Sequence, residues 1–414
     1  MKKISLLTLL VATQIASTAF AGGFQLAEYS AVGLGRAMAG KGVVGDDYSA
    51  VASNPAGMTL KETGAQVGTT AIFLRAEVEG TNNGTPGKEG DINLRQWVPH
   101  VFGQYKLNDK TRLGLGIYAP FGLSTIYSRD WFGSSHAMRS KFMAVDFNMS
   151  ASYDVTDKLT VGGSAIMQLA KANLTNKLPT ILGANAESEV DADSWSPAYK
   201  LGMVYKFTDY SRVGFSYHSK ITHKLKGEQT ITGRTLPVIP GMTPSYLQNG
   251  VYSGRAKITL PEYLEISGYH RIKDFGLSAT ARWTRWSRFN SLDIYSSNLE
   301  NGVHKTPEKW RNVWMLSLGL DYYLNDTWTV RLGTAYDQSP VSSAKYRTAR
   351  IPDGNRIWTS LGLSYRYKQV QLDLGYSHMF IKARKTHNVS SGSELNAKYT
   401  SHSNLVGAQL QYDF

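Results

Sequence analysis

From Gly64 to the carboxy terminus the chain alternates apolar and polar residues. Counting back in twos from Phe414, Tyr412, Leu410, Ala408 and Val406 fall on one face, and Asp413, Gln411, Gln409 and Gly407 on the other. That period belongs to an extended strand whose two faces meet different surroundings. It recurs in Trp97, Val101 and Tyr105; in Val145, Phe147, Met149 and Tyr153; in Val161, Ala165 and Leu169. It recurs again in Leu316, Leu318, Leu320 and Tyr322; in Trp328, Val330 and Leu332; and in Ile357, Leu361, Leu363 and Tyr365. The connections alternate too. Short ones, such as Leu107-Asn108-Asp109-Lys110 and Leu324-Asn325-Asp326-Thr327, carry the Asn and Asp that suit tight turns. Long ones rich in Gly, Ser, Asn and Pro lie near 80–93, 120–137, 177–194, 227–254, 292–309, 339–354 and 384–399. Six short and seven long connections predict about fourteen strands with both ends of the sheet on the short-turn side. A last strand that finishes on its own aromatic residue fits a ring, which leaves no free edge. The expected fold is therefore all-β, a transmembrane antiparallel barrel of about fourteen strands.

The amino end reads differently. Lys2 and Lys3, the apolar run from Ile4 to Ala12 and the small-residue site Ala19-Phe20-Ala21 predict a signal peptide over 1–21. Residues 22–60 are rich in Gly and Ala and show no useful alternation. Small residues at close spacing predict a compact helix-and-turn hatch that plugs a confined space, leaving 61–414 for the barrel.

Composition then excludes several classes. No cysteine is present, so no disulfide stabilises an exported chain. With 19% charged residues and no later run of ~18 apolar ones, a helical membrane bundle is excluded. A barrel passes because only alternate residues face lipid, and 24 Tyr, 9 Trp and 14 Phe supply two aromatic girdles. The formal charge is +13, but the basic residues are scattered, with no basic helix or stripe. This argues against nucleic acid and fits attraction to anionic lipopolysaccharide and acidic ligands. No Gly-x-Ser-x-Gly, HExxH or ligand-spaced His pair occurs, so neither an enzyme nor a metal or cofactor protein is expected.

Gly23-Phe24-Gln25-Leu26, Gly33-Leu34-Gly35-Arg36-Ala37, Asp46-Asp47 and Asn54-Pro55-Ala56 occur in that order before the strands. Pro120-Phe121-Gly122-Leu123-Ser124-Thr125, Leu260-Pro261-Glu262, Trp283-Thr284-Arg285-Trp286-Ser287, Asp337-Gln338-Ser339-Pro340-Val341 and Ile351-Pro352-Asp353 follow. In order and spacing this set resembles the FadL family of outer-membrane transporters for long-chain fatty acids and other hydrophobic compounds, over essentially the whole chain after the leader. The resemblance implies a hatch over 22–60, ligand entry from outside, a pocket against the hatch and sideways exit at a kinked third strand.

It also implies roles for particular residues. Asn54, Pro55 and Ala56 are either a hatch switch or a plain turn opening the first strand. Phe24 is either a residue beside bound ligand or ordinary plug packing. Pro120, which cannot donate to a ladder, with Phe121 and Gly122, is either a bulge opening a lateral gap or the end of the strand. Lys171 and Arg311 fall where the family carries a basic pair for an acidic head group. Both are placed on the lumen-facing register, taking Leu169 and Trp310 as outward; the alternative is polar lining. Trp131, Phe132 and Met138 are candidates for an outer apolar capture site. Phe414 is the expected recognition residue for the barrel-assembly machinery. The expected partners are a hydrophobic ligand, outer-membrane lipid and lipopolysaccharide, and the barrel is expected to be monomeric. A surface adhesin or phage receptor working through the long loops, and a general porin, are the competing readings; a glycine-rich plug argues against the open pore.

Overall fold

Alternation produces a closed sheet. A computed structural model describes residues 22–178, 182–183, 185–235, 248–297, 302–390 and 392–414. The predicted signal peptide lies outside them. Ten strands are continuous: β1 Gly64–Asn82, β2 Thr85–Lys106, β3 Thr111–Ile126, β4 Arg139–Asp154, β5 Leu159–Lys177, β6 Glu187–Thr208, β11 Trp328–Asp337, β12 Arg356–Tyr367, β13 Val370–Ser390 and β14 Ser393–Asp413. Four are each interrupted once: β7 (Ser211–His218, Ile221–Thr232), β8 (Gly250–Leu260, Tyr263–Ile272), β9 (Phe275–Thr284, Ser291–Ser296) and β10 (Val303–Pro307, Val313–Tyr323). Neighbours pair antiparallel throughout. β14 closes on β1 from Gly64↔Asp413 to Asn82↔Leu395, so fourteen strands form a ring.

Lipid explains the pattern of burial. Trp97, Met149 and Leu318 are more than half exposed, while Asp321, Ser377 and Gln411 on the opposite face are buried. In water this distribution would be inside out; facing hydrocarbon it is the stable one. Trp97 and Tyr105, like Trp314 and Tyr322, stand eight positions apart on the outer face. That is ~26 Å of strand, enough to carry a tilted strand between the two interfaces.

Two stretches expected as long loops are strand. β1 and β2 continue to a two-residue Asn83-Gly84 turn with both φ positive, at 50° and 79°; β13 runs to Ser390 and β14 resumes at Ser393. Polar composition marked them as loops, but the backbone still pairs: the tip around 80–90 is wet on both faces, whereas Leu395, Ala397 and Tyr399 of β14 stay buried on the inner face. Lys88–Glu77 and Lys398–Glu79 bridge these extensions on the outside.

Inside the ring sit residues 22–63. They comprise α1 (Ala31–Gly35), α2 (Ala50–Ser53) and a 3-10 turn, Pro55–Leu60. Wall side chains hold this hatch all round: Gln409 accepts from Ala31 N at 2.7 Å, Gln104 donates to Met58 O at 2.7 Å, and Asn148 donates to Val51 O at 2.7 Å. Missing side chains let the layers meet. A Cβ on Gly35 would lie 2.7 Å from Gly362 Cα, and one on Gly202 would lie 2.0 Å from Asn54 Oδ1.

Candidate functional site: a stoppered lumen and an unzipped seam

The hatch has a base and a tip. In the base, Ser30 caps α1 by accepting from Gly33 N at 2.8 Å, and the Asn54 side chain caps the 3-10 turn by accepting from Ala56 N at 3.2 Å. Asn54 also donates to Met203 O of β6 at 3.2 Å, so Asn54-Pro55-Ala56 is a turn docked on the wall. Arg36 of the hatch reaches Asp46 at 2.6 Å and Asp321 of β10 at 3.2 Å, while Arg331 of β11 reaches Asp46 at 3.1 Å and Asp321 at 3.2 Å. Burial pushes the Asp46 carboxyl up, but Arg36 and Arg331 outweigh it and hold it well below the usual carboxylate range. Two cations and two anions thus satisfy each other where hatch meets wall.

The tip is residues 22–26. Phe24 is buried in an aromatic cage: its ring centroid lies 4.8 Å from Trp286, 5.4 Å from Phe142, 5.6 Å from Phe289, 5.7 Å from Trp310 and 6.2 Å from Phe121. Most of these contacts are edge-on, the preferred arrangement for rings of like polarity. Gly22 N donates to Asp337 at 2.8 Å and Gly23 N to Asp353 at 3.1 Å, anchoring the start of the tip.

The same tip touches the kink. β3 pairs with β4 in regular register up to Tyr118↔Asp146 and resumes at Phe121↔Ala144, so Ala119 and Pro120 stand opposite the single residue Val145. On its other side β3 pairs with β2 only from Lys106↔Arg112 to Val101↔Ile117. Beyond Ile117 the two strands are unzipped, and residues 85–100 of β2 pair with β1 alone. The tip lies along the freed edge. Leu26 N donates to Pro120 O at 2.7 Å, and Gly122 N donates to Phe24 O at 2.9 Å, around the bridge Gln25↔Phe121. Strand-edge groups left open where β2 separates from β3 are thereby satisfied from inside.

The family model described as outer membrane protein transport protein (OMPP1/FadL/TodX) matches residues 12–414. The chain belongs to that family. The 47 kDa outer membrane protein of Pasteurella multocida is 32% identical to it, with 97% of this chain and 96% of that protein covered. The long-chain fatty acid transport protein of Escherichia coli K12 is 28% identical, over 90% of this chain and 91% of that one. The crystal structure of a Pseudomonas aeruginosa FadL homologue covers 95% of this chain and 100% of its own, at 28% identity and a TM-score of 0.86. The toluene transporter TodX of Pseudomonas putida shares the fold, with a TM-score of 0.71 at 17% identity over 94% of this chain and 99% of that one. This OMPP1/FadL/TodX-family protein is accordingly an outer-membrane transport protein and not an enzyme.

Its remaining expected site residues are placed differently from their sequence reading. Lys171 and Arg311 are exposed on the outside of the barrel. The reason is parity: Leu169 and Lys171 are two apart on β5 and share the outward face, opposite Trp195 and Asp193 of β6. Trp310 is the lumenal member of its pair, which turns Arg311 outward against Ser339 O at 3.4 Å. Trp131 and Met138 do not project as an outer patch. Trp131 is buried, stacked on Tyr127 at 3.9 Å and donating to Ala137 O at 2.6 Å; Met138 is buried and Phe132 half-buried beside them. They line the mouth from within. Phe414 is exposed, packed on Tyr412 at 5.0 Å, with its N–H on Thr63 O at 3.0 Å.

Sequence reasoning missed Trp286, Phe289 and Trp310 as the walls of the cage. Their signal was a break in alternation: β9 is interrupted by a 3-10 turn at Trp286–Arg288, and β10 pauses between Pro307 and Val313. Glu308 in that pause accepts from Trp310 Nε1 at 3.0 Å, and its burial pushes it up to about 8.

Proposed function

We propose that the protein carries hydrophobic molecules, long-chain fatty acids foremost, from outside into the outer membrane by a ligand-displaced stopper and a sideways exit. One observation supports this above the rest: residues 24–26 do two jobs, filling the aromatic cage with Phe24 and capping the free edge of β3 with the backbone around Gln25. A hydrophobic ligand that takes the place of the Phe24 ring removes both at once. The seam above Ile117 then opens to the lipid side, where an acyl chain gains roughly 0.8 kcal/mol per methylene on entering hydrocarbon. A polar solute gains nothing from that door. The likeness to the Escherichia coli long-chain fatty acid transport proteins, 28% identical over nine-tenths of this chain, supports the fatty acid over an aromatic cargo.

The exit is tested by deleting Pro120. That restores one-to-one register between β3 and β4, with Ala119 opposite Val145 and the Phe121↔Ala144 pair kept. The variant should fold, as heat-modifiable mobility reports, and bind fatty acid, but fail to support growth on it. Growth at the wild-type rate would place the exit elsewhere.

A further inference from the structure

Above the cage, at the outer mouth, a cavity of about 150 Å3 lies among β5, β6, β7, β9, β10 and the connection 338–355. Its apolar wall is a cluster of Leu174, Val190, Leu292 and Ile294. Its polar wall includes Arg350, His136 and Asn176. The Arg350 guanidinium donates to Asn176 Oδ1 at 3.0 Å, Ser140 Oγ at 3.2 Å, Arg139 O at 3.4 Å and Thr175 O at 3.5 Å. All of these acceptors are neutral. Four other interior arginines differ: Arg36, Arg282, Arg331 and Arg356 each meet a carboxylate, Asp321, Glu265, Asp46 and Asp353 respectively. Arg384 resembles Arg350 in bonding neutral acceptors, Pro352 O and Ser401 Oγ, but it does not line this cavity. A partly buried cation beside an apolar wall and without a counter-ion is costly unless something else supplies the charge.

The neighbouring titratable groups do not supply it. Glu308 acts on Arg350 through space, but burial pushes its carboxyl up to about 8, so it is largely neutral at pH 7. Burial lowers His136, in the connection before β4, below the usual imidazole range, and an imidazole supplies no negative charge in either form. Arg350 itself is lowered by burial only to about 10 and stays a cation. The cavity therefore presents one fixed positive charge beside an apolar wall.

We propose that this cavity is a binding site for the carboxylate of a long-chain acid, with the Arg350 guanidinium as its counter-ion and the cluster around Leu174 and Ile294 receiving the first methylenes. The inference rests on the reading of the protein as a channel for hydrophobic ligands and names the head-group chemistry that this reading leaves open. Guanidinium and carboxylate match as a planar fork, and desolvation by the apolar wall strengthens the pair.

The test measures binding of dodecanoate and of methyl dodecanoate to the purified full-length protein in a neutral detergent, for wild type, Arg350→Gln and Arg350→Lys. Arg350→Gln should weaken the acid about tenfold or more and leave the ester unchanged, because a charge-assisted bond is lost from one ligand and not the other. Arg350→Lys should recover part of the acid's affinity. Equal losses for acid and ester would show that Arg350 only holds the loop in shape, and overturn the assignment. Unchanged affinity for the acid in Arg350→Gln would overturn it as well, with the channel reading intact. A wild type that binds neither ligand would overturn both.

Discussion

The base and the tip of the hatch are built from the same short stretch of chain, yet they are held in opposite ways. The base is tied by the four-membered charge network of Arg36, Asp46, Asp321 and Arg331, and by backbone groups meeting glycines of the wall. Its contacts are polar and directional. The tip is held by one apolar ring in an aromatic cage, two backbone bonds to β3, two more to Asp337 and Asp353, and the Gln25 side chain accepting from Thr284 Oγ1 at 3.1 Å. An apolar ligand can replicate the environment of a phenyl ring. It cannot replace a buried carboxylate between two arginines. On the proposed route, this difference gives movement to the tip and anchorage to the base.

Asp46→Ala should break the comparison most severely. It leaves Arg36 and Arg331 sharing Asp321, and loss of one member of a buried ionic set costs ~3–5 kcal/mol. The hatch should become protease-sensitive and ion conductance in planar bilayers should rise. A silent, protease-resistant channel would show that the base is held by packing alone.

Phe24→Ala should act on the tip alone. A fully buried Phe→Ala change costs ~3–5 kcal/mol in a core, so the tip should leave its cage more often. Association of fatty acid should quicken severalfold while ion conductance stays at the wild-type level. Slower association would mean that Phe24 helps receive the ligand instead of blocking it.

Lys41, in the base, sharpens the comparison through pH. Burial lowers its ammonium to about 7, with Glu265 and Glu28 opposing and Arg282 and Lys200 adding to the fall. A released hatch would keep that proton up to the ordinary lysine range near ~10.4. Between these values the released state binds more protons, so docking strengthens as pH rises from 7 towards 10 and is flat below. Opening events in bilayers should grow rarer over that window in wild type, and the slope should fall in Lys41→Met.

Deleting Phe414 is expected to have the smallest effect on the folded molecule. Its ring touches Tyr412 and is otherwise exposed, so the purified barrel's melting should shift by no more than ~0.5 kcal/mol. Its abundance in the outer membrane should fall, consistent with a role in assembly. Wild-type abundance would remove that role.

How far these regions were legible in the sequence follows from what imposes each pattern. Lipid dictates the outward face residue by residue, so the strand count and the faces carrying Trp97, Leu318 or Ile357 could be read directly. Proline's missing donor marks Pro120 without any knowledge of the fold. The hairpins around 80–93 and 384–399 were misread because their polar and glycine-rich composition resembles loop; at the 80–90 tip both faces are wet, and in β14 the alternation of Leu395, Ala397 and Tyr399 with polar residues was overlooked. Lys171 and Arg311 were misplaced by one face, an error that period-two structure makes absolute. The cage was out of reach: Phe24, Phe121, Phe142, Trp286, Phe289 and Trp310 come together through the closure of the barrel, not through any local spacing. Arg350 carries no local mark either, since its lack of a carboxylate partner among the described residues is a fact of three dimensions.

The central claim, that the tip moves while the base stays, is tested most directly by tying the tip to the seam. Gln25 and Phe121 form a non-hydrogen-bonded antiparallel pair flanked by the bonds Leu26 N to Pro120 O and Gly122 N to Phe24 O. Such pairs bring Cα atoms to ~4.5 Å, within disulfide range. The chain has no other cysteine, so Gln25→Cys with Phe121→Cys can form one intramolecular bond. Fatty-acid uptake should cease when the pair is oxidised and return on reduction, with folding unchanged in both states. Uptake by the oxidised protein at the rate of the reduced one would contradict the account.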